Sequence, residues 1–421
     1  MPTIHILHYA GPPTIGGVEI TIAHHARLLA ARGYRVQVIA GRGEAFHPEV
    51  AFLHLPEAGS RHPEVLAVSQ ELTDRGPTPR FEALRARLRA RLQTAIAPED
   101  TLIVHNALTL HKNLALTAAL HDLAENGQRL IGWCHDFAWL DALYIPVLRP
   151  GFPWDLLRTP WPNTRYVTVS EHRRGQLARL LEIPESAIAV VPPGVAPDQL
   201  LRLSPLTHRL ADTLDLWKAD PLLLLPARIT RRKNIQFAMR IVAALREHFP
   251  NPMLVVTGPP GPHNPSNVAY LEKLRALRRE LGLEHAVHFL YEHGEDGQPL
   301  LLDDQAMAEW YALADALLFP SLREGFGMPV LEAGLMRLPV LAADIPPVRE
   351  SAGDTATLFD PQGDPAEAAA RIAERLKGER TYRLRRRVLG HYTWNAIIDQ
   401  LVIPLIAEQP RPSPSEHRSA A

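Results

Sequence analysis

Short apolar runs alternate with helical patterns along nearly the whole chain, and they do so in two series. The first series is Ile4–His8, Val36–Ala40, Phe52–Leu55, Leu102–His105, Leu130–Cys134, Tyr166–Val169 and Ile188–Val191. The second restarts at Leu222–Pro226 and continues through Met253–Thr257, Val287–Leu290, Ala316–Phe319 and Val340–Ala342. Helical patterns such as Glu19–Arg32 and Phe81–Ala97 lie between them. Strands that are apolar on both faces need cover on both faces, so the pattern predicts parallel sheets layered with helices. Two series predict an α/β chain of two Rossmann-like domains.

The 421 residues suit two domains better than one. The division falls in the Pro-rich stretch between Pro192 and Pro221, giving a first domain over 1–200 and a second over 201–385. Residues 386–408 carry Trp394 and an apolar helical pattern that can cross back to the first domain. Residues 409–421 are Pro/Ser-rich and read as a disordered tail. A formal net charge of −1 gives no basic field for nucleic acid. The arginines of 85–92 occupy the solvated faces around a Leu84, Leu88, Leu92 stripe rather than forming a nucleic-acid arm. The single cysteine, Cys134, excludes an internal disulfide framework and suits a reducing compartment. Met1 runs straight into a strand pattern with no leader, and no apolar run is long enough to span a bilayer; together these point to a cytoplasmic protein. Oligomeric state is not legible.

The most specific chemistry lies in Arg323-Glu324-Gly325-Phe326-Gly327-Met328-Pro329-Val330-Leu331-Glu332-Ala333. Pro329 suits the first turn of a helix, and Gly325 and Gly327 let backbone approach a ligand closely. The amides of a helix start favour a phosphate. Glu324 and Glu332 can accept hydrogen bonds from hydroxyls on either side of it. On one uninterrupted helix, carboxylates at this spacing would lie about 12 Å apart along the axis and about 80° around it. That is too far for a shared proton or metal, and it suits two ends of one extended ligand. A diphosphate with a sugar at each end, a nucleotide sugar, fits.

Other candidates sit at strand ends, where doubly wound sheets bind ligands. Gly16-Gly17-Val18-Glu19 follows the first strand; a packing turn is the equal alternative. His135-Asp136 with Trp139 follows Leu130–Cys134, and His135 can orient a substrate hydroxyl or merely cap the strand. Cys134 reads as a buried strand residue, not a nucleophile. Arg228 and Lys233 follow Leu222–Pro226 and can offset the charge of a leaving diphosphate. Walker A, GxSxG and HExxH motifs are absent, as is any Asp-x-Asp. With no such carboxylate pair, the residues favour a metal-independent reaction.

In order, these segments resemble the retaining glycosyltransferases of family 4, which have the GT-B fold. Gly16 to Glu19 matches the glycine-rich first loop, and His135-Asp136 with Trp139 matches HDxxW. Val169-Ser170-Glu171 and Val191-Pro192-Pro193-Gly194-Val195 match late strand ends of the first domain. Arg228 and Lys233 match GRLxxxKG, and Glu324 to Glu332 matches E-x7-E. The resemblance implies two Rossmann-like domains facing each other across a cleft, donor on the second and acceptor on the first. It implies that His135, Glu324, Arg228 and Lys233 serve the chemistry. The donor would be held by Gly16, Gly17, Arg228, Lys233, Glu324, Gly325, Phe326, Gly327, Met328 and Glu332. It further implies a same-face displacement in which the leaving phosphate assists deprotonation of the acceptor. No cofactor is required on this reading, because the nucleotide diphosphate sugar is itself the donor substrate. Ala227 and Asn234 stand where the family commonly has glycine, and Pro193 replaces an asparagine.

The resemblance implies transfer of a hexose, mannose or glucose, from a GDP- or UDP-linked donor; the base is expected near Tyr291-Glu292-His293-Gly294, where nothing separates guanine from uracil. His105, Asn106, Lys112, Arg173 and Arg174 are the acceptor-side candidates, along with His111 and Ser170. Their polar and positive character suits a phosphoglycerate or sugar phosphate as well as a surface-charge reading; a glycan or glycolipid is the wider acceptor class. The Pro- and aromatic-rich Tyr144–Trp161 reads as an acceptor-side loop, as packing, or as a shallow lipid-facing surface for peripheral membrane contact. A same-fold nucleotide-sugar epimerase or phosphorylase, and a non-catalytic nucleotide-sugar-binding protein, are the alternatives.

Overall fold

The computed structural model describes residues 2–14, 16–261, 266–295 and 298–407. The chain divides into two compact units, one formed by residues up to Gly194 together with the stretch from Tyr392, the other by Val195–His391. The first boundary lies six residues before the one drawn from sequence, and the return to unit 1 begins at Tyr392 rather than at 386. The expected tail, 409–421, lies outside the described residues.

Unit 1 is built on β1 (Thr3–His8), β2 (Arg35–Ala40), β3 (Val50–His54), β4 (Thr101–His105), β5 (Leu130–Cys134), β6 (Thr164–Thr168) and β7 (Ile188–Val190). They form one sheet in the order β3-β2-β1-β4-β5-β6-β7, every pair parallel. Strand alternation divides the core between two faces. Leu7, Leu102, Val104 and Leu130 point to one face; Ile4, Ile6, Ile103, Ile131 and Trp133 point to the other. The helix Pro79–Ala95 covers the first face with Phe81, Leu84, Leu88 and Leu92, and the Thr78 side chain caps its start by accepting from the Phe81 amide. The helix Gly17–Ala30 covers the second with Ile22, Ala26 and Leu29.

The returning stretch adds Ile397, Ile398, Val402, Leu405 and Ile406 to that second face. Each fully buried side chain of this size contributes about 1.5–3 kcal/mol. Gly194 permits the return, since a Cβ there would meet Trp394 at 2.7 Å. Arg32 pairs with Asp399 and holds the stretch from the helix side.

Unit 2 repeats the plan with β8 (Leu222–Leu225), β9 (Met253–Val256), β10 (Val287–Phe289), β11 (Ala316–Phe319), β12 (Val340–Ala343) and β13 (Thr357–Phe359). The order is β10-β9-β8-β11-β12-β13, again all parallel. Leu223 and Leu225 enter one core and Leu222 and Leu224 the other. In both sheets the strand order reverses once, between β1 and β4 and between β8 and β11. Beyond the carboxyl ends of these strand pairs lie the crevices where doubly wound sheets take ligands.

Candidate active site

At the unit 2 crevice the chain leaves β8 through Pro226-Ala227-Arg228 and makes a short turn, Arg231–Lys233, before the helix Ile235–Leu245. Asn234 caps that helix with φ +52°, a left-handed conformation that asparagine tolerates better than most side chains. Its amide donates to the Pro361 carbonyl at 2.8 Å. Asparagine therefore fills a glycine-like position without losing the turn. Ala227 is buried and fits beside Gly258, where a Cβ would meet the Ala227 carbonyl at 2.5 Å. The close approach belongs to Gly258, so the methyl of Ala227 is accommodated.

From β11 the chain passes Pro320, Ser321 and Leu322, whose amide donates to the Arg232 carbonyl at 2.8 Å and ties the two loops together. Lys233 Nζ then lies 2.5 Å from Glu324 Oε1, with both side chains at most 10% exposed. The ammonium also lies 5.0 Å from the Phe319 ring centroid. Arg228 is exposed and makes no ion pair among the described residues. Arg232 reaches Glu324 only weakly, at 3.5 Å.

Gly325 and Phe326 are exposed, and Gly327 turns the chain with φ +96° into the helix Met328–Leu335. Such a φ is strained for any residue with a Cβ. Pro329 stands in the first turn as the sequence predicts. Glu324 lies before this helix and not on it, so the uninterrupted-helix spacing between the two glutamates does not apply. Gly327 breaks the run and lets Glu324 fold back to Lys233. Glu332 is exposed on the helix, where the Tyr311 hydroxyl donates to its Oε2. Burial and the adjacent Glu332 carboxylate push the Tyr311 hydroxyl up, so it stays protonated as that donor. Sequence reading missed Tyr311, which lies in the apolar helix Asp304–Leu313 and carries no local signal. At the suggested base-binding segment, Glu292 is already held by Arg275 at 2.6 Å and Arg278 at 2.9 Å.

The unit 1 crevice has a different make-up. Gly16 and Gly17 lead into their helix, and the space around Gly17 is open within 4 Å of an added Cβ. His135 follows β5 and is half-buried. The Asn106 side chain, at the end of β4, accepts from the backbone amides of His135 (2.8 Å) and Asp136 (3.3 Å) and so shapes this loop. His135 Nε2 lies 3.0 Å from His105 Nδ1. His8, at the end of β1, donates Nδ1–H to the His105 carbonyl at 2.9 Å. His25 packs edge-on against Trp133 behind them.

Burial is the main cause that lowers each of these imidazoles: His25 to about 3, His135 to about 4, His105 well below the ordinary value and His8 more modestly. At neutral pH the group is uncharged. Burial pushes the Cys134 thiol up to about 12, which removes it as a nucleophile.

Two acceptor-side expectations need correction. His105 and Asn106 are buried, at 0% and 4% exposure, and cannot contact a substrate directly. A strand-end position shows which edge a residue reaches, not whether its side chain faces out; theirs turn inward to hold the His135 loop. Arg173 does join that loop, 3.3 Å from Asp136 Oδ1 and stacked over Phe137 at 5.3 Å. Arg174 turns aside to Glu171 at 2.6 Å and Glu185 at 3.4 Å. Lys112 is exposed on the turn after β4. Pro193 offers neither N–H nor polar side chain, so an asparagine contact there is not made. In the 144–161 stretch Trp154, Leu157 and Trp161 pack into the core, while Ile145, Val147 and Phe152 are exposed. Among the described residues no helix is long and apolar enough to cross a membrane.

Two family descriptions match the chain in succession, Glycosyltransferase Family 4 over residues 15–199 and Glycosyl transferases group 1 over 215–390. A D-inositol 3-phosphate glycosyltransferase of Streptomyces scabiei is 31% identical over 49% of this chain and 45% of its own length. One from Thermomonospora curvata is 32% identical over 56% of each chain. A mannosylglucosylglycerate synthase of Thermotoga maritima is 23% identical over 80% of this chain and 79% of its own. The chain thus spans about half the length of the first two of these relatives.

Proposed function

The chain belongs to the glycosyltransferases covered by these two family descriptions, and from that premise we propose that it transfers a hexose, with retention, from a nucleotide diphosphate sugar to a hydroxyl of a small anionic acceptor. The Lys233–Glu324 pair at the β8/β11 crevice carries this reading. When a diphosphate arrives, its oxygens take Lys233, with Arg228 beside it, and Glu324 is released to accept from a hydroxyl of the transferred sugar. Glu332, whose carboxylate accepts from the Tyr311 hydroxyl, takes the ribose. The acceptor oxygen bonds to the anomeric carbon on the face from which the diphosphate departs. The bond from that carbon to the phosphate oxygen breaks, and the acceptor proton passes to that oxygen. Two fixed cations offset the charge that develops there, so no metal is needed.

The relatives' names include a phosphorylated inositol and a glycerate. Both support an acceptor that is small and negatively charged, for which Arg173 and Lys112 are the unit 1 cations at hand. The test is to incubate the chain with GDP- and UDP-hexoses plus phosphorylated polyols or glycerate, in EDTA, and read the anomer formed by NMR. A product that keeps the donor's anomeric configuration is expected. An inverted product, or activity lost in EDTA and restored by Mg²⁺, would overturn the proposal.

A further inference from the structure

His135 does not stand alone at the unit 1 crevice. Behind it the His105 ring stacks on Trp133, centroids 5.4 Å apart at 21°, and on His135, 5.3 Å apart at 27°. The His105 ring is fully buried, and its Nε2 has no partner among the described residues. One proton is shared across the 3.0 Å contact between His105 Nδ1 and His135 Nε2. If His135 donated it, His105 would carry its own proton on Nε2, leaving a buried N–H with no acceptor. If His105 donates it, the unpartnered Nε2 is only a bare lone pair beside Trp133 and His25. Orphaned buried N–H groups are rarer in folded proteins than under-used acceptors. A carbonyl can only accept, so the same reasoning already makes His8 an Nδ1–H tautomer.

We infer that His105 is a positioning residue that donates Nδ1–H to His135 Nε2, so that His135 carries its proton on Nδ1 and meets its ligand only as a hydrogen-bond donor. The inference rests on the proposed function for its substrate, though not for its geometry. His135 Nδ1 has no protein partner among the described residues and is the nitrogen left for a ligand. The groups around the pair are His8 from β1, Glu19 and His25 from the helix Gly17–Ala30, Lys112 from the turn after β4, Asp136 on the His135 loop, and Arg173, which reaches Asp136 from the helix Glu171–Leu181. Burial and the neighbouring imidazoles keep both members of the pair uncharged at neutral pH. A donor-only His135 can hold a hydroxyl or phosphate oxygen of the ligand but cannot take the acceptor's proton. That proton must then go to the leaving phosphate, as a same-face displacement requires.

The test is a long-range ¹H–¹⁵N spectrum of the full chain labelled at histidine, with the two residues identified by signals lost in His105→Asn and His135→Asn. His135 protonated on Nδ1 is the expected result. His135 protonated on Nε2, or a fast mixture of the two tautomers, would overturn it. A kinetic arm separates donation from packing. His105→Phe keeps the ring but removes the donor, and kcat should fall about tenfold to a hundredfold with donor KM unchanged. His105→Asn places an amide near the Nδ1 position and should recover most of that loss. Equal losses in both variants would contradict donation. If His105→Phe does not fold, the wild-type spectrum, assigned with the two asparagine variants, still decides. A chain that transfers no sugar yet shows the Nδ1–H tautomer would refute the function and support the inference; the reverse result would do the opposite.

Discussion

The two units share a strand plan and a crevice position, yet they fill the crevice with opposite chemistry. Unit 2 places ions there: Lys233 bonded to Glu324, Arg228 exposed on the loop that leads to Lys233, and Glu332 on the helix after Glu324. Unit 1 places neutral imidazoles there, with His8, His105 and His135 linked by hydrogen bonds and His25 packed behind. The backbone supplies only a place where strand ends diverge. What a ligand meets is decided by a few side chains on the loops that follow. A charged crevice suits a diphosphate; a neutral one that can donate suits hydroxyls.

Acid should break the comparison most severely. His25 and His135 are held near 3 and 4 against an unfolded value of 6.5, so the unfolded chain binds protons that the folded unit does not. The stability this represents is full above pH 6.5 and is lost as pH falls towards 3–4. At pH 5 each strongly lowered, buried histidine costs on the order of 2 kcal/mol. Among the described residues five imidazoles are lowered in unit 1, His8, His25, His105, His111 and His135, and in unit 2 His288 and His293 are lowered. Hydrogen exchange at pH 5 and pH 7 should show β1, β4 and β5 losing more protection than β8, β9 and β11, and His25→Phe should narrow the gap. Equal loss in both sheets would count against it.

Next in size is the ion pair. Lys233→Ala removes a cation from the leaving group and strands a buried Glu324, so kcat/KM should fall about 10²–10³-fold. Glu324→Gln should act mainly on kcat. Unchanged turnover in either variant would separate the pair from the chemistry. The smallest effect belongs to Glu332, which is exposed and holds one end of the donor. Glu332→Ala should raise donor KM about tenfold, roughly one charged hydrogen bond, while kcat stays within about twofold. A loss confined to kcat would reverse the roles of the two glutamates.

The fold was largely legible because its strands are short, apolar and separated by helical patterns. β13 escaped notice: Thr357–Phe359 is too short to show a period. The unit 2 site was legible because its residues crowd into two loops, each with glycine, proline or charge to mark it. The unit 1 site was less so. The strand-end position of His105 points to the substrate, and only packing shows the ring turned inward. His8 could have been found, since it ends β1 as His105 ends β4. His25 could not, because it sits mid-helix and is drawn to Trp133 by tertiary packing alone. Tyr311 meets Glu332 across two elements, and that contact likewise has no local signature.

Thermal unfolding of the wild-type chain with UDP- and GDP-sugars tests the donor site most directly, because a ligand that binds only the folded state raises Tm. One nucleotide class should raise Tm in the wild type, and Lys233→Ala should abolish that rise while Arg174→Ala, whose side chain turns away to Glu171, retains it. No shift with either class at millimolar concentration, or a shift that survives Lys233→Ala, would contradict the assignment of the β8/β11 crevice to the nucleotide sugar.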